Sequence, residues 1–240
     1  MPRFFADENS VSGNVIHITG ADARHISYSL RMRIGDNITF CREGNEMLCR
    51  ISSITETDVF CDIIETVPSD VEPSVKLTIY QALPKSDKME LIIQKTVELG
   101  AYRIVPFISK RCISRPDGKS AAKKHERWQR IAEEAAKQAG RGIIPEVAPI
   151  MDMSEALAEC NTDIKLICYE NGGSSLSEAG ITADKSISVM IGSEGGFERS
   201  EVEAAADKGF SPIWLGKRIL RCETCPIAVT SVIMNLSGNF

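Results

Sequence analysis

The sequence lacks any long run of uncharged apolar residues. No window of the 240 residues approaches the roughly 18 apolar residues that a membrane-spanning helix requires. The N-terminal stretch MPRFFADENS contains acidic residues and no apolar core of signal-peptide length. These two absences predict a protein with no membrane span and no secretory leader, so we expect it to be cytoplasmic.

Residues that ligate metals are few and are not grouped. Among the 8 cysteines, Cys222 and Cys225 form one C-x-x-C pair, but no second Cys or His pair follows at zinc-site spacing. The 3 histidines, His17, His25 and His125, are scattered along the chain. We therefore expect reduced cysteines and no metal site. The role of the Cys222 and Cys225 pair stays open.

Positive charge is outnumbered by negative charge in the whole chain but concentrated in one segment. The formal net charge is −5, yet residues 103–141 contain 11 Lys and Arg against 4 Asp and Glu. Phosphate binding depends on the local field, so such a segment can bind a polyanion such as RNA within an acidic protein. A solvated helix face without a partner would have the same composition. Charge alone does not decide between them.

The chain divides into two regions with different patterns. Residues 1–70 contain short runs rich in β-branched residues, separated by turn signals, which predict a small β-barrel domain with one helix. A linker with two prolines, VPSDVEPSV, follows. In residues 74–240, strands that are apolar along almost their whole length alternate with helices. This alternation predicts an α/β domain built on a parallel sheet.

Three loops that follow predicted strands contain small residues, namely 169–175, 191–198 and 215–224. Ligands of parallel α/β sheets bind beyond the carboxyl ends of the strands. The loop IGSEGGF matches neither phosphate-binding glycine motif, and Glu194 would repel a polyphosphate, which argues against a nucleotide-phosphate enzyme. In the loop LGKRILRCET, cations flank an apolar pair, which suits a purine and its ribose. The alternative to ligand binding for IGSEGGF is a glycine turn in which Glu194 caps the next helix. The alternative for LGKRILRCET is a basic turn.

The two loops IGSEGGF and LGKRILRCET together resemble the paired C-terminal motifs of the RsmE family. Members of this family are ribosomal RNA small-subunit methyltransferases of the SPOUT (trefoil-knot) class. The runs MPRFF, LRMRIGD, KSDKMELIIQKTVELG and QAGR also match the family's pattern, so the resemblance covers nearly the whole chain. Ser193 stands where the family usually has Pro, and Cys225 where it usually has Ala.

The resemblance implies a fold, an activity and partners. The fold would be α/β, with a small PUA-like β-barrel that binds RNA at residues 1–70 and a SPOUT methyltransferase domain with a C-terminal trefoil knot at residues 74–240. The activity would be methylation of N3 of a uridine in 16S ribosomal RNA with S-adenosyl-L-methionine as cofactor. The partners would be 16S ribosomal RNA or the assembling small subunit, and a second copy in a homodimer.

The resemblance also implies site residues. Two are candidate catalytic residues. Arg141 would orient the RNA phosphate or base. Glu194 would shape the cofactor loop, accept the N3 proton or have a purely structural role. The implied cofactor-binding residues are Ile191, Gly192, Glu194, Gly195, Gly196, Leu215, Gly216, Ile219, Leu220 and Arg221. Two other functions fit the residues less well: another SPOUT enzyme acting on transfer RNA or a ribose 2′-hydroxyl, and a non-catalytic RNA-binding protein with a degenerate cofactor site.

Overall fold

The computed structural model of the protein describes residues 1–240, except for the side chain of Glu8. The chain forms two compact units. The first unit comprises Met1–Glu72 and Ala136–Ile144, and the second comprises Pro73–Ala135 and Pro145–Phe240. Each unit contains one β-sheet, and the architecture is mixed α/β.

The first unit is built on a six-stranded sheet with the strand order β1-β4-β5-β6-β3-β2. A short helix, α1 (Gly20–Arg24), continues as a π-helical turn over His25–Ser29. All neighbouring strands are antiparallel except β1 and β4, which are parallel. The strands are β1 (Arg3–Phe5), β2 (Val11–Ser12), β3 (Val15–Thr19), β4 (Asn37–Arg42), β5 (Asn45–Ile54) and β6 (Asp58–Pro68).

Alternation of apolar and polar side chains sets which face of this sheet is buried. In β3, Ile16 and Ile18 are buried whereas His17 and Thr19 are exposed, as expected for a strand with one solvated face. The buried side chains of β3 join Phe40 and other apolar residues in one core. The short strands predicted in this region are therefore confirmed.

A distant segment completes the first unit. Arg141 lies in Ala136–Ile144, and its guanidinium bonds the Glu72 carboxylate through Nε (3.0 Å to Oε1) and Nη2 (2.6 Å to Oε2). The backbone N–H groups of Gly142 and Ile143 donate to the same carboxylate at 2.8 and 3.3 Å. Four donors thus converge on Glu72, which explains why this segment belongs to the first unit.

The second unit contains a seven-stranded parallel sheet with the order β10-β8-β7-β12-β11-β13, and β9 pairs with β8. Its strands are β7 (Lys76–Ala82), β8 (Arg103–Ile108), β9 (Glu146–Val147), β10 (Met151–Asp152), β11 (Ile164–Cys168), β12 (Ser186–Ile191) and β13 (Ser211–Ile213). Its helices are α2 (Lys88–Glu98), α3 (Gly118–Gln138), α4 (Met153–Glu159), α5 (Arg199–Asp207) and α6 (Thr224–Leu236). The last residues of α3, from Ala136 onwards, belong to the first unit.

The central strands of this sheet are buried on both faces. In β7 every residue after Lys76 is buried, and in β12 every residue after Ser186 is buried. The predicted parallel sheet is therefore confirmed. Because β11, β12 and β13 run in the same direction side by side, the loops after their carboxyl ends emerge at one edge of the sheet.

Among the described residues, no helix combines the length and the apolar character needed to cross a membrane.

Candidate functional site

A pocket of about 750 Å³ lies in the second unit at the edge where the loops after β11, β12 and β13 emerge. Pockets of a few hundred to about 1,000 Å³ are typical of small-molecule and cofactor sites. Its walls combine backbone-rich glycine segments with apolar and charged side chains. The lining residues are Lys88, Cys168–Glu170, Ile191–Gly196, Ile213–Cys222 and Cys225.

The glycine loop after β12 folds back on itself. The Gly196 N–H donates to the Ser193 carbonyl at 2.9 Å, and Gly196 has a φ of +63°, a conformation that favours glycine. A β-carbon on Gly192 would lie 2.9 Å from Gly196 Cα. Glycine at 192 is thus needed for the backbone of this turn to approach so closely.

The loop after β11 is held against β13 by the backbone. Tyr169 N–H donates to the Ile213 carbonyl at 2.9 Å, and Ser174 and Pro212 are joined by a second bond of 3.1 Å. This arrangement brings Glu170 to the pocket, where a β-carbon on Gly196 would lie 3.0 Å from Glu170 Oε1. The pocket therefore has a second carboxylate besides that of Glu194.

Lys88, at the start of α2, joins two of the pocket loops. Its Nζ lies 3.0 Å from Glu194 Oε1 in the glycine loop and 3.2 Å from Glu223 Oε2 after β13. The backbone N–H of Lys85 also donates to Glu194 Oε1, at 3.1 Å. One ammonium group thus bridges two carboxylates on separate loops.

These contacts fix the charge state of the bridge. Partial burial acts to raise the pKa of Glu194, but hydrogen bonds from Lys88 and from the Lys85 N–H outweigh it, and the pKa lies below the usual value of a glutamate. The hydrogen bond to Glu194 raises the pKa of Lys88. Desolvation by burial raises the pKa of the neighbouring Cys222 thiol to about 12, so the thiol stays protonated at neutral pH.

A cation from the loop after β8 also contacts the glycine loop. Arg111 Nη1 donates to the Gly195 carbonyl at 2.8 Å, and a β-carbon on Gly195 would lie 3.1 Å from Arg111 Cβ. Arg111 is exposed, so this cation lies at the protein surface beside the glycine loop.

All ten residues predicted to bind a cofactor lie in the walls of this one pocket. Of the two candidate catalytic residues, Glu194 is among them, whereas Arg141 lies in the first unit with its side chain 4% exposed and paired with Glu72. The alternative that Glu194 caps the next helix is wrong, because Glu198 is the N-cap of α5 and forms a capping box with Glu201.

Sequence reasoning missed two side chains that line the pocket, Lys88 and Glu170, and two that contact its lining residues, Arg111 and Glu223. Glu170 and Glu223 belong to the loops 169–175 and 215–224, which follow predicted strands, so their position in these loops could have identified them as site residues. Lys88 and Arg111 come from separate elements, and nothing in their local sequence pairs them with the glycine loop.

Comparison with known proteins identifies the family of this chain. Residues 71–234 match the family described as an RNA methyltransferase domain. The chain is 36% identical to ribosomal RNA small subunit methyltransferase E of Bacillus subtilis (strain 168), over 97% of this chain and 96% of the relative. It is 28% identical to the enzyme of the same name from Aquifex aeolicus (strain VF5), over 98% of this chain and all of the relative (100%).

A solved structure agrees with these relatives. The crystal structure of ribosomal RNA small subunit methyltransferase E from Neisseria gonorrhoeae, bound to S-adenosyl methionine, matches with a TM-score of 0.88. It is 35% identical, and the match covers 99% of this chain and 98% of that chain. The chain therefore belongs to the ribosomal RNA small subunit methyltransferase E family.

Proposed function

We propose that this protein transfers a methyl group from S-adenosyl-L-methionine to N3 of a uridine in 16S ribosomal RNA. The observation that carries the proposal is the convergence of the loops IGSEGGF and LGKRILRCET in one pocket of about 750 Å³ at the carboxyl edge of the parallel sheet. The family to which the chain belongs, and the S-adenosyl methionine bound to its relative from Neisseria gonorrhoeae, support the same reading.

The pocket fits this cofactor. The tight turn at Gly192 and Gly196 presents backbone groups that a bulkier side chain would cover, and these suit the adenine, ribose and amino-acid groups of the ligand. Ser193 Oγ is buried and has no hydrogen-bond partner among the described residues. The backbone around Ile191–Gly196 and Leu215–Leu220, with the side chains of Glu194 and Arg221, would hold the cofactor. When bound, it supplies a methyl group activated by the sulfonium.

The protein must place the uracil N3 in line with that methyl group and deal with the N3 proton. For Glu194 we propose that it shapes the cofactor loop, because a carboxylate with a lowered pKa and an ammonium partner is a weak proton acceptor at neutral pH. For Arg141 we propose that it positions the segment Ala136–Ile144 within the RNA-binding unit through its pair with Glu72.

The proposal also covers the type of each domain, the knot and the oligomeric state. We propose that the first unit is a PUA-like RNA-binding barrel and that the C-terminal loops of the second unit form a trefoil knot. We also propose that the protein acts as a homodimer in the cytoplasm, on 16S ribosomal RNA or on the assembling small subunit.

A direct assay tests the proposed reaction. The purified protein, given S-adenosylmethionine with a labelled methyl group and small-subunit RNA that lacks the modification, is expected to produce one N3-methyluridine detectable by mass spectrometry. Label on a ribose 2′-hydroxyl of that RNA, or on transfer RNA supplied in a parallel reaction, would instead identify another activity of the same enzyme class. No label on any RNA, in a protein that binds the cofactor, would contradict the proposed transfer.

Replacement of Lys88 tests the bridge between the loops. Lys88→Met is expected to lower the affinity for S-adenosylmethionine about 10-fold, because it removes the ammonium that holds Glu194 and Glu223 together and leaves two carboxylates to repel each other. Calorimetry measures the affinity. The matched control is Lys95→Met on the same helix, since Lys95 pairs with Glu98 of α2 at 2.9 Å and with no other carboxylate among the described residues. Equal affinity in the two variants would contradict the role of the bridge.

The charge state of the same bridge gives a pH dependence. Because the pKa of Glu194 is lowered, its contribution to cofactor affinity is lost only as pH falls below the usual glutamate range. Because the pKa of Lys88 is raised, its contribution to cofactor affinity is lost only as pH rises above the usual lysine range. With ordinary values of about 4.3 and about 10.4, the contribution of the bridge to cofactor affinity is expected to stay constant from about pH 5 to about pH 10.

A further inference from the structure

The exposed face of α3 carries a stripe of positive charge that continues from the loop after β8. We call it the basic ridge; it comprises Arg111, Arg115, Lys119, Lys123, Arg127 and Arg130, all exposed. Residues 110–130 contain eight Lys and Arg and two Asp and Glu, in a chain of net charge −5. The ridge is therefore a local exception to the charge of the protein.

The helical part of the ridge lies on one side of α3. At about 100° per residue, positions 119, 123, 127 and 130 fall within an arc of about 80°. The buried residues Trp128, Ala132 and Ala135 lie on the opposite side of the helix. With a rise of about 1.5 Å per residue, the stripe is about 16 Å long and faces solvent.

Much of this charge is not compensated within the protein. Arg127 pairs with Glu90 at 2.7 Å, but Lys119, Lys123 and Arg130 pair with no carboxylate among the described residues. Asp117, the nearest acid in sequence to Lys119, accepts the Ser120 N–H at 2.8 Å at the start of α3. The three unpaired cations leave a positive field available to a polyanion.

The position of these cations is unfavourable for the helix itself. Lys119 lies in the first turn of α3, where the helix dipole disfavours positive charge. Lys119 and Lys123 are spaced i, i+4, at which like charges repel each other. A bound chain of phosphates would offset both effects.

One end of the ridge adjoins the pocket. Arg111 is its first residue, and its Nη1 donates to the carbonyl of Gly195, which lines the pocket. A polyanion on the ridge would therefore run to the loop that surrounds the pocket.

We propose that the basic ridge binds the sugar-phosphate backbone of the RNA whose base enters the pocket. The inference rests on the proposed function and names the surface of the second unit that receives the substrate. Phosphate contacts supply position and affinity without reading sequence, which suits a row of lysines and arginines on a solvated helix.

The test uses the full-length protein and a 16S ribosomal RNA transcript that lacks the modification. In the triple variant K119Q/K123Q/R130Q, the RNA dissociation constant is expected to rise about 10- to 30-fold at moderate salt. The slope of log affinity against log salt is expected to fall by about 2, since each contact with single-stranded RNA contributes about 0.7. The affinity for S-adenosylmethionine and the rate at saturating RNA are expected to stay unchanged.

A second triple variant controls for net charge. K165Q/K185Q/K208Q removes the same charge near the amino ends of β11 and β12 and at the end of α5, away from the pocket edge. It is expected to bind RNA like the unaltered protein. Unchanged RNA affinity and salt slope in K119Q/K123Q/R130Q, or an equal loss in both triple variants, would overturn the proposal. Failure of the unaltered protein to methylate RNA would instead overturn the proposed function, because the ridge is judged by binding alone.

Discussion

Gly192→Ala is expected to lower the affinity for S-adenosylmethionine by at least about 100-fold, which corresponds to about 2.7 kcal/mol. The added β-carbon would lie 2.9 Å from Gly196 Cα and 3.0 Å from Gly196 C. Both are backbone atoms of the same turn, so no side chain can rotate away to relieve the overlap. The turn would have to open, and it forms one wall of the pocket.

Two other glycines provide matched controls for this prediction. A β-carbon on Gly195 would come closest to the Arg111 side chain, at 3.1 Å from its Cβ, and would lie 3.7 Å from the Arg111 carbonyl oxygen, so Gly195→Ala is expected to have a smaller effect. A β-carbon on Gly118, at the start of α3, meets nothing within 4 Å, so Gly118→Ala is expected to be neutral. Calorimetry measures binding, and circular dichroism verifies the fold. A folded Gly192→Ala protein with normal affinity would remove this turn from the binding site.

Arg141→Ala is expected to lower the free energy of unfolding of the first unit by about 3 kcal/mol, because it removes a buried guanidinium and leaves a partly buried carboxylate without its cation. The side chain of Arg141 is 4% exposed and that of Glu72 is 18% exposed. For a unit of this size, such a loss lowers the melting temperature by more than about 10 °C. Differential scanning calorimetry of the full-length protein measures the shift.

An exposed pair in the same unit provides the control for Arg141. Arg42 lies 3.2 Å from Glu43, whose side chain is 75% exposed, so Arg42→Ala is expected to cost less than about 1 kcal/mol. If Arg141 acted only by touching RNA, Arg141→Ala would melt like the unaltered protein and lose only RNA affinity. That result would contradict the positioning role proposed above.

The sequence predicted those parts of the fold whose pattern repeats. Strands β7 and β12 are buried along nearly their whole length, so they read as continuous apolar runs. Strand β1 has three residues and pairs with β4 far along the chain, so no local period could identify it. Helix α4 has seven residues and was missed too, although its capping box of Asp152 and Glu155 was a readable signal.

In the site, too, the residues with a local sequence pattern could be predicted and those without one could not. The pocket loops could be found because each contains a dense motif next to a predicted strand. The contacts that hold them could not be found, because Lys88 and Glu194 are 106 residues apart. The sequence places Arg141 at the end of the basic segment and predicts that it orients RNA, whereas its pairing with Glu72, 69 residues earlier, depends on the tertiary fold. Patterns along a chain report periodicity and composition, whereas such partners are set by topology.

The way in which Ala136–Ile144 completes the first unit has a consequence for synthesis. The Glu72 carboxylate has its four donors only when residues 141–143 are present. During translation these donors are synthesised about 70 residues after Glu72, or roughly 4 to 14 s later at 5–20 residues per second. A fragment that stops at the linker would never receive that segment. The sheet and core of the first unit lie within residues 3–68, so its last contacts, those with Ala136–Ile144, form only after that segment has been synthesised.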